Sequence, residues 1–104
     1  MRTLLKVTMP VGEGAPNVKD GTIERVLGDT ATRLRPEAAY FYPEKGRRTA
    51  LMVFDLKDPS DIPAIAEPLF TELNGTVELH PVMNAEDLKK GLATYLAQTA
   101  ALHR

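Results

Sequence analysis

The run Ala50-Leu51-Met52-Val53-Phe54 leaves no polar side to the segment that carries it. Successive side chains of an extended strand point to opposite faces, so five apolar residues in a row call for cover on both. The run lies in a strand predicted over Thr49 to Leu56. A second predicted strand, Thr3 to Met9, also has apolar residues on both faces: Thr3, Leu5, Val7 and Met9 fall on one side, and Leu4 lies among Lys6 and Thr8 on the other. Two further segments differ. Ala38 to Tyr42 is a short aromatic strand, and Thr76 to Val82 sets Val77 and Leu79 against Glu78, His80 and Val82, the alternation of a half-buried edge. A sheet of these four has its first and third strands at the centre and its second and fourth at the margins.

The intervening segments read as helices. The glycine- and proline-bearing loop Pro10 to Pro16 ends at Asn17, a predicted cap for a helix reaching Leu34, with Ile23, Val26, Leu27, Ala31 and Leu34 on one face. Pro43 to Arg47 is the expected hairpin turn. Asp58-Pro59-Ser60-Asp61 opens a second helix whose apolar face is Ile62, Ile65, Ala66, Leu69, Phe70 and Leu73. Pro68 inside it predicts a kink or an early end, and Asn74-Gly75 a stop. Asn84-Ala85-Glu86-Asp87 starts a third helix over 85–102, striped by Leu88, Leu92, Leu96, Thr99 and Leu102 or His103.

The order β-α-β-β-α-β-α is that of an α+β ferredoxin-like domain, residues 1–104, with a four-stranded antiparallel sheet, both main helices on one face and an additional C-terminal helix. The other face, with Leu4, Leu51, Val53 and Val82, is then bare in a monomer. A patch of that kind meets something: the third helix, a second subunit or a ligand.

Residues Ala64 to Phe70, with a proline inside the helix, and Thr76 to Asp87, where the strand runs through Pro81-Val82-Met83-Asn84 into an acidic helix start, resemble small uncharacterised bacterial proteins of the dimeric α+β barrel superfamily. The resemblance implies a homodimer whose two sheets face each other around a barrel-like interior. It implies no agreed reaction. The superfamily also holds cofactor-independent monooxygenases, haem-degrading enzymes and muconolactone isomerases, but fold does not transfer chemistry, and no residue pattern of those enzymes is matched here.

Composition narrows the function further. The 13 basic and 14 acidic residues offer no basic stripe, and Lys45, Arg47 and Arg48 at a turn are too few to track a phosphate backbone, so no nucleic-acid partner is expected. The chain has no cysteine, which excludes disulfides, thiolate nucleophiles and cysteine-type zinc sites. Only His80 and His103 are available to a metal, and Ser60 is the sole serine, spent at a helix start, so neither a metal site nor a nucleophilic triad is read. Gly12-Glu13-Gly14-Ala15-Pro16-Asn17 lacks the third glycine of a dinucleotide loop, and no cofactor is expected. Met1 to Met9 reads as a strand and not as a signal peptide, and no apolar run approaches the ~20 residues of a membrane span, so a cytoplasmic protein with no membrane partner is expected.

Alternation places Lys6, Thr8, Tyr40, Tyr42, Asp55, Glu78 and His80 on the open face. From these and the aliphatics the expected ligand-binding set is Lys6, Tyr40, Tyr42, Val53, Glu78 and His80. His80 beside Glu78 offers a proton acceptor near neutral pH, and Lys6 a partner for an anion or for Glu78. Three functions fit: small-molecule binding between this face and a partner subunit, a structural or interaction module, or a cofactor-independent monooxygenase or isomerase.

Overall fold

In the computed structural model, which describes residues 1–102, the chain runs β1 (Arg2–Thr8), α1 (Thr22–Leu34), β2 (Ala38–Glu44), β3 (Arg47–Asp55), α2 (Ile62–Leu73), β4 (Thr76–Pro81) and α3 (Ala85–Leu102), with one 3-10 turn at Pro59–Asp61. The sheet order is β2-β3-β1-β4 and every pairing is antiparallel. The two strands with apolar residues on both faces are thus the two central ones, as the apolar pattern requires. This is an α+β arrangement, broadly ferredoxin-like. Leu5, Val7, Met52 and Phe54 on one face form the core with Val26 of α1 and Ile65, Leu69 and Leu73 of α2.

Several boundaries differ from expectation, each for a local reason. Helix α1 starts at Thr22, not after Asn17. The Asn17 side chain accepts from the backbone N–H of Lys19 at 2.8 Å and closes a turn instead. Asp20 then takes both the N–H and the hydroxyl of Thr22, and Gly21, at φ 81°, supplies a left-handed step into the helix. Strand β2 continues through Pro43 to Glu44, so the turn shrinks to Lys45-Gly46, both at positive φ, the geometry of a two-residue hairpin. Proline is tolerated there because β2 is an edge strand.

Helix α2 runs on through Pro68 to Leu73. Proline has no N–H to give the carbonyl four residues back, which is that of Ala64. That carbonyl is met from outside the helix: the Arg33 guanidinium of α1 donates to it at 3.1 Å. The end of α2 is fixed by Asn74 in the left-handed region and by the Gly75 N–H donating to Leu69 O at 3.0 Å. Phe70, expected on the apolar face, is 44% exposed, and Phe41, although on the helix side of the sheet, lies uncovered on the β2 edge. Strand β4 closes at Pro81, one residue before the expected end.

Helix α3 has no buried residue. Asn84 and Asp87 cap its start reciprocally, each side chain accepting from the other's N–H, and Arg2 holds Asp87 at 3.2 Å. Beyond that base it projects from the body. The chain spans 64 Å in its longest direction, and its radius of gyration of 17.6 Å exceeds the roughly 13 Å of a compact chain this long. His103, the alternative last residue of the stripe, lies outside the described residues.

Candidate functional site

Strand register decides which side chains share the open face. Residues opposed across a pair point the same way, so β2, β3, β1 and β4 contribute one residue each to transverse rows. One row is Tyr40, Leu51, Lys6 and Glu78; the next is Ala38, Val53, Leu4 and His80; a third is Tyr42, Thr49, Thr8 and Thr76. All six candidate residues, Lys6, Tyr40, Tyr42, Val53, Glu78 and His80, therefore lie on one face within three adjacent rows.

Their polar groups form a connected series. The Lys6 ammonium is paired with the Glu44 carboxylate and stands 4.0 Å from Glu78 Oε2. Tyr42 Oη donates to Glu44 Oε1 at 3.3 Å, and His80 Nε2 lies 3.7 Å from Glu78 Oε1. The series Tyr42, Glu44, Lys6, Glu78, His80 crosses the sheet from edge to edge. Glu44 is the member that sequence reading misses, because Pro43 reads as a turn residue. Continuing the alternation of Tyr40 and Tyr42 through the proline would have found it.

The hydrogen bond to Glu44 holds the Lys6 pKa above its ordinary value against the opposing effect of partial burial, and the same bond holds the Glu44 carboxyl below its own. Lys6 is thereby a fixed cation and not an amine nucleophile. Glu78 stands between Lys6 and His80, with an oxygen within 4.0 Å of each. Leu4, Leu51 and Val53 are half-buried around the Lys6 stem, whereas Tyr40 is 64% exposed. In a single chain this is an apolar surface crossed by a polar seam, open to solvent.

Other candidates fall elsewhere. The Gly12 to Asn17 loop is tied to the end of α2, where Asn74 Nδ2 donates to Gly14 O at 3.3 Å. Among the described residues no three His, Asp or Glu side chains gather as a metal site would need, and no helix is long and apolar enough to cross a membrane. Comparison with protein-family models and with curated proteins finds no match.

Proposed function

We propose that this chain is a homodimeric small-molecule-binding protein of the cytoplasm, whose two open sheet faces enclose the ligand between subunits as in a dimeric α+β barrel. The observation that supports the reading is the composition of that face. Leu4, Leu51, Val53 and Tyr40 provide apolar area, and the Tyr42 to His80 series provides hydrogen-bonding groups in fixed places. Pockets for small ligands combine these two ingredients. Since Lys6 and Glu44 neutralise each other, the ligand expected is a small, mainly apolar molecule with one or two hydrogen-bonding groups, presented to Glu78, His80 and the tyrosine hydroxyls.

The test is a screen of small aromatic and aliphatic compounds followed by chemical-shift mapping. Binders should perturb Tyr40, Val53 and His80 together and lose at least tenfold in affinity in the His80→Ala, Tyr42→Phe double variant. Binders that map to another surface, or a dimer whose sheet faces pack solidly with no space between them, would overturn the proposal. A purely structural dimer is the second reading, favoured by the internal pairing of Lys6 with Glu44. It is selected if the double variant alters association and no compound binds.

A further inference from the structure

On the helix side of the sheet, cover thins toward the β2–β3 hairpin. The register sets Phe41 beside Ala50 and Ala50 beside Val7, and it sets Pro43 beside Arg48. Ala50 presents only a methyl group between two larger side chains, and α1, which starts at Thr22, reaches this end with the half-buried Ile23 and Leu27. A hollow of about 300 Å³ remains, walled by Met9, Ile23, Leu27, Phe41 and Pro43, with Arg48 as its charged lining residue. A second hollow, of about 420 Å³, also has Arg48 in its wall, together with Lys19 and the loop that precedes it. That loop is fastened. Ala15 N–H donates to Gly12 O at 3.1 Å, Gly21 N–H to Val18 O at 3.2 Å, and Met9 N–H holds Arg48 O at 2.9 Å. The walls are therefore set before anything binds, which lowers the cost of binding.

Charge identifies the occupant. The chain holds 14 acidic residues against 13 basic ones, yet no carboxylate lines either hollow. The three other surface hollows described each have an acid in the wall, with Asp61 in one, Glu72 in another and Asp87 in the third. Among the described residues Arg48 and Lys19 form no ion pair, whereas Arg2, Lys6, Arg25 and Lys57 are each matched by a carboxylate. Two unmatched cations beside an apolar wall call for a ligand with one negative charge and an apolar body. A guanidinium takes a carboxylate through two parallel N–H···O bonds, and the exposed Phe41 ring offers a surface for another ring. A volume at the low end of small-ligand pockets suits a single ring. A lipid surface fits less well, because Met9, Ile23 and Leu27 line a hollow and do not project from it.

We infer that this groove binds a small aromatic monocarboxylate, its carboxylate on Arg48 and its ring against Phe41, Ile23 and Leu27. Lys19 adds a second positive charge to the field that the anion meets. The groove lies on the side of the sheet opposite the Lys6 to His80 series. The ligand classes differ too, since Lys6 and Glu44 cancel on the open face and select an uncharged molecule there.

Phenylacetate, titrated near neutral pH and followed by amide chemical shifts, tests the site. Saturable shifts should centre on Ile23, Leu27, Phe41 and Arg48. Affinity should fall about tenfold when the uncharged phenylacetamide replaces the acid, and about tenfold again for phenylacetate in Arg48→Gln, the loss of a charge-assisted hydrogen bond. Phe41→Ala should weaken the acid and the amide alike. Both side chains are exposed, and unshifted β1 and β4 amides in the free variants verify the fold. Equal binding of acid and amide, unchanged affinity in Arg48→Gln, shifts centred on Val53 and His80, or no saturable shift would overturn the proposal. So would retention by vesicles of phosphatidylcholine and phosphatidylserine, lost in Phe41→Ala, with no response to phenylacetate, which would make the groove a lipid contact. Self-association abolished by Phe41→Ala would make it an interface between copies and overturn the proposal as well. If uncharged compounds fail at the open face while phenylacetate binds here, only the open-face reading falls.

Discussion

Both faces of this sheet carry apolar side chains along β1 and β3, yet only one is covered by the chain's own helices. Under α1 and α2, Leu5, Val7, Met52 and Phe54 are 1–3% exposed; opposite them, Leu4, Leu51 and Val53 are only half-buried. The difference lies in what crosses the sheet. Helices α1 and α2 fold back over the first face, and α3 leaves the body instead of folding back over the second. Apolar content therefore marks where cover is required, and connectivity decides whether the cover comes from the same chain.

The contrast can be broken most directly inside α2. Leu69 is wholly buried and its neighbour Phe70 is 44% exposed. Leu69→Ala should cost about 2–5 kcal/mol in chemical denaturation, by lost transfer energy and the cavity left behind. Phe70→Ala should stay within about 0.5 kcal/mol. Comparable losses at the two positions would mean that the outer side of α2 is covered too.

A pair of glycines sharpens the same comparison at smaller magnitude. A Cβ on Gly75 would stand 2.7 Å from Val7 Cγ2 and 3.1 Å from Leu69 O, so Gly75→Ala should cost about 1–3 kcal/mol through overpacking where α2 meets β4. Gly28, in the middle of α1, has nothing within 4 Å of a built Cβ. Gly28→Ala should raise stability by about 0.5–1 kcal/mol through helix propensity. Thermal melts of the two variants should move in opposite directions.

The Arg33 contact is expected to be worth about 1 kcal/mol, as for a hydrogen bond from a charged donor at a solvent-accessible site. Its value should depend on Pro68. In a Pro68→Ala background residue 68 regains an N–H for Ala64 O, so Arg33→Ala should cost measurably less there than in the parent. A double-mutant cycle with no coupling would show that the guanidinium does not compensate for the proline.

Much of this architecture was legible because burial writes itself into alternation. The central position of β1 and β3, the margins at β2 and β4, and the shared face of Lys6, Tyr40, Tyr42, Val53, Glu78 and His80 all follow from period-two patterns that tertiary packing had no reason to override. The errors arose where a residue has two uses. Asn17 reads as a helix cap and serves a turn; Pro43 reads as a breaker and sits in an edge strand; Pro68 reads as a kink, and a long-range hydrogen bond from α1 meets the carbonyl it leaves free. Glu44 was missed with Pro43. Phe41 and Phe70 are apolar in sequence but exposed in the fold, Phe41 on the β2 edge and Phe70 on the outer side of α2, which no local pattern records.

The smallest expected effect is in acid and distinguishes the two ends of the open face. Asp55, opposite Arg2 in the register, has its carboxyl lowered from the ordinary 3.8 to about 2, first by the hydrogen bond from Lys57 and then by that from the chain's amino group. A carboxyl whose pKa falls on folding contributes stability that is complete above its unfolded value and lost as pH drops through its folded value. The Asp55 contribution should therefore disappear between about pH 4 and pH 2. Since all three groups are well exposed, it should be slight and should shrink further in salt. Glu44 is lowered in the same sense by Lys6, whereas Lys6, being raised, keeps its contribution until pH rises through its folded pKa in the alkaline range. Carboxyl resonances followed by NMR should show Asp55 titrating near 2, and Lys57→Gln should bring it back toward 3.8. High salt should act the same way on Asp55 more than on Glu44, because the Lys6 side chain facing Glu44 is only 23% exposed and the Lys57 side chain facing Asp55 is 80% exposed. Equal salt sensitivity at the two carboxylates would mean that the Lys6 end of the face is as open to water as the Asp55 end.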